Sequence, residues 1–140
     1  MISLTKKFSF SCAHRIVNHP GKCKNLHGHD YFLTVEIVDE IGYLTKEYPI
    51  VKDFGEMKDF YGEWIENNWD HSIILWRDDR ELLEFFLNFK ADGLNHQRVY
   101  IMDYNVTAES LCHEFLRMFP LIHSVTIEEG RNSSVTIYNK

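Results

Sequence analysis

An α+β fold, a four-stranded antiparallel sheet with its helices packed on one face, is what this sequence predicts, and three observations carry the prediction. Apolar residues alternate along the first segment, ISLTKKFSFSC, at Ile2, Leu4, Phe8, Phe10 and Cys12. The alternation resumes at Tyr31, Leu33, Val35 and Ile37. After Asp53 the period changes, because Phe54, Met57, Phe60 or Tyr61, Trp64, Ile65 and Trp69 recur at three- and four-residue steps. Period two marks a half-buried strand and the longer period an amphipathic helix.

The elements follow in order. His14 continues the inward face of the first strand if the backbone stays extended. A loop over 17–26, carrying glycine and lysines, leads to the second strand, and His27 and His29 share the parity of its apolar residues. Consecutive strands joined by such a loop pair antiparallel, which brings His14 towards His27 and His29. Asp53 suits the N-cap of the first helix. Over 72–105 the pattern is mixed: ELLEFFL at 81–87 has helical spacing, and VYIM at 99–102 reads as a short strand. Thr107 caps a second helix that buries Leu111, Cys112, Phe115, Leu116 and Phe119 and stops at Pro120. Two late strands lie around 122–129 and 134–139. The sheet face away from the helices is expected to be partly apolar and to meet a partner subunit.

At 140 residues and 44% apolar content the chain fits one domain, 1–140, with an insertion around 76–104. The net charge of -6, with lysines and arginines scattered rather than striped, excludes a nucleic-acid partner. Apolar runs such as IILW at 73–76 cannot span a bilayer, and the N-terminus lacks a long apolar stretch behind a basic start. No membrane partner is expected, and a cytoplasmic location is. Three cysteines are an odd set without scaffold density, which points to a reducing compartment.

The chemistry concentrates in KCKNLHGH at 22–29. Histidines at i and i+2 of a strand point to one side, and Gly28 between them allows close approach of other atoms. With His14 they make three nitrogen ligands, the set of a catalytic zinc site with an open position. A turn with surface imidazoles and a solitary strand histidine fits the spacing as well; the shared parity of all three favours metal. Cys23 reads two ways, as a fourth ligand closing a structural site or as a free thiol, flanked by Lys22 and Lys24, that serves as base or nucleophile. Cys12 and Cys112 lie on apolar faces and read as core packing. Asp70 beside His71 can fix that ring's tautomer, but on these residues alone a capping aspartate and a surface histidine is the preferred reading. Glu109 in the first turn of its helix complements the helix dipole. Glu129 shares parity with Val125 and Ile127, so its carboxylate faces inward and needs a partner that donates hydrogen bonds.

Six motifs in this order resemble those of the 6-pyruvoyltetrahydropterin and 6-carboxytetrahydropterin synthase family: FSCAH at 10–14, CKNLHGH at 23–29, VKDF at 51–54, DH at 70–71, NVTAE at 105–109 and IEE at 127–129. The resemblance implies a tunnelling (T-)fold subunit that assembles into a homohexamer with active sites between subunits. It implies that His14, His27 and His29 hold Zn²⁺, and that the zinc binds side-chain oxygens of a dihydroneopterin triphosphate substrate. Cys23 would abstract the proton, His71 assisted by Asp70 would shuttle protons on the other side, and Glu129 would pair with the pterin's donors and join the relay. Thr107 and Glu109 would line the same pocket.

Spacing refines the resemblance. Tetrahydrobiopterin-pathway members tend to have five residues between the cysteine and His-Gly-His, and members of the 7-deazaguanine (queuosine) pathway have three, as here. A folate-precursor branch carries glutamate in place of the cysteine. The expected reaction is therefore formation of 6-carboxy-5,6,7,8-tetrahydropterin with release of acetaldehyde and triphosphate. Against the family pattern, Ser72 stands where a second histidine is frequent, Val106 replaces the proline of N-P-T, 76–104 is long, and Gly130 follows Glu129.

Overall fold

In the computed structural model, which describes residues 1–88 and 97–140, two long strands form the spine of the molecule. β1 (Ile2–His14) and β2 (His27–Asp39) pair antiparallel in unbroken register from Ile2↔Asp39 to His14↔His27. β3 (Ser72–Trp76) and β4 (Val99–Met102) extend the sheet beyond β1, while β5 (Ser124–Glu129) and β6 (Ser133–Tyr138) extend it beyond β2. The order is β4-β3-β1-β2-β5-β6.

The sheet thus has six strands, not four, and it is not wholly antiparallel, because β3 runs parallel to β1 and β4 parallel to β3. The physical reason lies in SIILW. A strand covered on both sides shows a continuous apolar run and no alternation, so periodicity does not announce it; Ser72 to Leu75 are all buried. The stretch expected as an insertion contributes β3's last residue, α3 (Arg80–Leu87) and β4, with α3 capped by the Asp79 carboxylate. Its residues 89–96 lie outside the described part of the chain.

Asp53 caps the first helical rod, its carboxylate accepting from the Gly55 and Glu56 N–H groups at 2.7 and 3.1 Å. The rod is α1 (Phe54–Met57), a π turn (Lys58–Gly62) and α2 (Glu63–Asn68). Around the π turn Tyr61 points inward, 6% exposed, and Phe60 outward, 63% exposed, which resolves the ambiguity in the apolar pattern. α4 (Ala108–Met118) starts in a capping box, with Thr107 Oγ1 accepting from Ser110 N–H and Ser110 Oγ accepting from Thr107 N–H. Leu111, Cys112 and Phe115 of α4 are fully buried.

The core positions the functional end of the sheet. Trp69, fully buried at the C-cap of α2, packs against Phe10, Trp64 and Phe115 with ring centroids 5.3, 5.0 and 5.8 Å apart. Phe10 in turn stacks on Tyr31 at 5.1 Å and 13°. Aromatic contacts therefore run without a break from the helical rod to the strand that carries His27 and His29. On the opposite sheet face, polar residues dominate, including Lys7, which pairs with Glu128 at 2.9 Å and covers the Phe32 ring. That face carries Phe32 and Tyr138 as exposed aromatics, so it is apolar only in patches. Among the described residues, no helix is long and apolar enough to cross a membrane.

Candidate active site

The β1–β2 register determines where the histidines meet. His14 lies opposite His27, and Cys12 opposite His29, so alternation turns all three rings to the helix-covered face. Ring centroids are 4.7 Å apart for His14 and His27, 5.3 Å for His14 and His29, and 4.8 Å for His27 and His29. Gly28 suits the close approach of the two strands: a Cβ there would stand 3.0 Å from the Cys12 carbonyl oxygen, a tight contact. β5 then brings in a fourth group, because Glu129 pairs with Tyr31 and its Oε1 lies 2.7 Å from His29 Nε2.

Backbone carbonyls orient two of the rings. His14 Nδ1 faces the Val106 carbonyl at 2.9 Å and His27 Nδ1 the Asn25 carbonyl at 2.6 Å. A carbonyl only accepts, so both Nδ1 atoms carry the proton and both Nε2 atoms present lone pairs. Nε2 of His27 and Nε2 of His29 are buried without a hydrogen-bond partner. For His29 the 2.7 Å approach of Glu129 satisfies an ion-pair distance, but it lies off the direction of a hydrogen bond. Each unpaired buried group of this kind costs about 1–3 kcal/mol, and a bound cation removes that cost.

Burial drives the His14 pKa below its ordinary value; His27 and His29 push the same way, and the Val106 carbonyl and Glu129 oppose them. The neutral imidazole so favoured is the metal-binding form. The ligand atoms of His14, His27, His29 and Glu129 lie within 4.8 Å of one another, so the donor set fits a divalent metal.

The other expected site residues are distributed around this cluster. Cys23 is a free, half-buried cysteine in the short 3₁₀ turn Lys22–Lys24, tied to the end of β1 by Ile16 N–H donating to its carbonyl at 2.8 Å. It is not part of the four-residue donor group. Cys12 and Cys112 are core residues, and burial pushes both thiols up to about 12. Thr107 is half-buried and Glu109 exposed at the start of α4. Asp70 and His71 form an ion-pair contact, Oδ2 lying 2.9 Å from Nδ1, at the entry to β3. His71 has a left-handed φ of 56° and a side chain 83% exposed, and the pair does not belong to the donor group.

Two participants were not singled out from sequence. The Val106 carbonyl leaves no trace in residue type, since any residue supplies it. Tyr31 places its hydroxyl 3.2 Å from His14 Nε2. Its parity with His27 and His29 was visible, but the same parity made it read as core.

The sequence profile of the family described as 6-pyruvoyl tetrahydropterin synthase matches residues 3–140. The chain belongs to that family. Among curated members of this synthase family, the 6-carboxy-5,6,7,8-tetrahydropterin synthase of Rickettsia conorii is 37% identical over 121 residues, covering 86% of this chain and 82% of that protein. The protein of the same name from Haemophilus influenzae is 39% identical over 74 residues, 53% of this chain and 52% of that one. The 6-pyruvoyl tetrahydropterin synthase of Caenorhabditis elegans superposes with a TM-score of 0.67 at 19% identity, covering 99% of this chain and 96% of its own. At that identity the likeness concerns the fold, and it identifies the synthase family's T-fold as the architecture built here around the β1–β2 spine.

Proposed function

We propose that this synthase-family member is a zinc-dependent lyase. It converts 7,8-dihydroneopterin triphosphate and one water to 6-carboxy-5,6,7,8-tetrahydropterin, acetaldehyde and triphosphate, and feeds the 7-deazaguanine (queuosine) precursor pathway in the cytoplasm. The observation that carries the reading is the histidine cluster, with inward lone pairs on His14 and His27, two unpartnered Nε2 atoms, and a free cysteine outside the donor set. The name shared by the curated relatives and the three-residue spacing from Cys23 to His27 support the choice of product.

His14, His27 and His29 would hold the zinc. When bound, zinc acts as a Lewis acid that polarises the hydroxyl-bearing side chain of the substrate. Cys23 takes the proton from the activated carbon as general base. Asp70 orients His71, which moves protons on the opposite side of the substrate. The exposed ring of His71 suits a site made jointly with a neighbouring copy, in a homohexamer with its active sites at subunit contacts. Thr107 and Glu109 line the pterin end. Glu129 accepts from the pterin's amide and amino donors, and its position against His29 also lets it steady the cation.

The test is incubation of the purified protein with 7,8-dihydroneopterin triphosphate, with and without a chelator. The carboxylated pterin and acetaldehyde should form only in the metal-loaded sample. A 6-pyruvoyltetrahydropterin product without acetaldehyde would assign the chain to the other activity of its family. A zinc-stabilised binding module would give no product at all, and Cys23→Ala would then release the metal.

A further inference from the structure

The proposed reaction gives Tyr31 no task, although its hydroxyl lies inside the histidine cluster. The residue is fully buried, stacked on Phe10, and its ring meets the edges of His14 and His29 at 6.1 and 5.5 Å. Packed in this way the ring is fixed, and the mobile part is the hydroxyl hydrogen, which can rotate about the C–O bond. Because His14 Nδ1 gives its proton to the Val106 carbonyl, Nε2 can only accept, so the Tyr31 O–H donates to it across 3.2 Å. That lone pair is also the one His14 would offer a cation. A hydrogen bond and a coordinate bond cannot share it.

We propose that Tyr31 is a further site residue. Its hydroxyl caps the ligating lone pair of His14 when no cation holds it, and turns to donate to a hydroxyl oxygen of the pterin's side chain when one does. The proposal rests on the histidine cluster being a cation site. A buried hydroxyl that loses its acceptor must find another or bear the cost of going without. Two acceptors are in reach of the argument: an oxygen of a ligand drawn to the cation, and the carboxylate of Glu129, which faces Tyr31 across the β2–β5 ladder. In the proposed reaction the Glu129 carboxylate accepts from the pterin's amide and amino donors, which leaves the ligand oxygen as the partner of the Tyr31 hydroxyl.

Tyr31→Phe removes the oxygen and keeps the ring. Zinc is titrated into wild-type and variant protein in competition with a chromophoric chelator. The variant should bind zinc about two- to ten-fold more tightly, since no hydrogen bond has to break first. The zinc-loaded variant should bind 7,8-dihydroneopterin, which carries the hydroxylated side chain without phosphates, more weakly by about the same factor. A tyrosine that serves packing alone predicts weaker or equal zinc binding, and that result overturns the capping role. Unchanged dihydroneopterin binding, with tighter zinc binding, overturns the donor role.

Wild-type protein supplies an independent readout if the variant folds poorly. Zinc addition should shift its near-ultraviolet tyrosine absorption, because a phenol's spectrum follows its hydrogen bonding, and an unshifted spectrum sinks the proposal. Wild-type protein that binds no zinc would instead remove the cation site, and the proposed lyase with it.

Discussion

Two arrangements of histidine and acid in this chain differ in what they leave unsatisfied. The cluster of His14, His27, His29 and Glu129 is assembled by three strands of one sheet, and it keeps two imidazole nitrogens buried without partners. The Asp70–His71 pair is complete: Asp70 accepts from Ser11 N–H at 3.0 Å and meets His71 at 2.9 Å. Yet the pair presents its imidazole to solvent from a backbone with φ of 56°, a conformation that costs a non-glycine residue about 1–3 kcal/mol. The first arrangement offers donor atoms to a cation, and the second offers its imidazole to whatever meets the surface. Strain retained at an exposed histidine makes sense if another copy of the chain brings that surface.

Removing a ligand should separate the two most sharply. His27→Ala takes away one of the buried nitrogens, and zinc affinity should fall by at least ~100-fold, with turnover falling alongside it, read by chelator competition and by product formation. Cys23→Ala should leave zinc content unchanged and lower turnover by about 10²–10⁴. A Cys23→Ala protein that loses its zinc would make the thiol a ligand and the site a structural one.

His71→Ala should lower turnover by about 10²–10⁴ with metal content intact. Its contrast with Cys23→Ala then tests where the two regions meet. If each active site takes its cysteine from one copy and its dyad from another, mixing the two inactive variants restores about a quarter of wild-type activity at equal proportions. If both come from one copy, the mixture stays inactive.

How much of this was legible follows from the kind of signal each residue carries. β1, β2 and α4 announced themselves because one face of each is buried and the other wet, and Asp53 and Thr107 cap where the sequence placed them. The convergence of His14 on His27 and His29 followed from parity together with the antiparallel pairing of consecutive strands. β3 did not, because burial on both faces erases alternation, and its parallel pairing with β1 depends on the path of the helical rod that precedes it. Nor could sequence give the backbone conformation of His71 or the Val106 carbonyl behind His14. The first depends on one residue's φ, and the second belongs to a backbone atom common to all residue types. Val106 in place of proline keeps that carbonyl and adds an N–H, which donates to Asn105 Oδ1 at 3.2 Å.

The dyad also has a pH signature of its own. Burial would raise the Asp70 carboxyl, but the Ser11 N–H, His71 and Arg98 outweigh it and hold the pKa below the ordinary value. The folded state therefore favours the charged carboxylate. The stability this adds is present above the ordinary aspartate pKa of about 3.9 and is lost as pH falls through the lower folded value. Asp70→Asn should be less stable than wild type by about 1 kcal/mol at neutral pH. The gap should narrow below about pH 4 in urea melts, and a gap independent of pH would mean that shape rather than charge holds the pair.

The smallest effect is expected at Thr107, where the fold and the proposed pocket use one hydroxyl. Its acceptor side is committed to Ser110 N–H at 3.1 Å, which leaves the O–H as what it can offer a pterin. Thr107→Ala should cost about 1 kcal/mol through the lost cap, a fall of about 3 °C in Tm, and Thr107→Ser should recover it. Turnover measurements on the same pair decide whether the hydroxyl has a second duty. A KM raised in Thr107→Ala and restored in Thr107→Ser assigns the O–H to the substrate, because a cap alone changes the stability of α4 and not the affinity of a folded site. An unmoved KM alongside the lower Tm leaves Thr107 as a cap and shifts pterin recognition to Glu109 and Glu129.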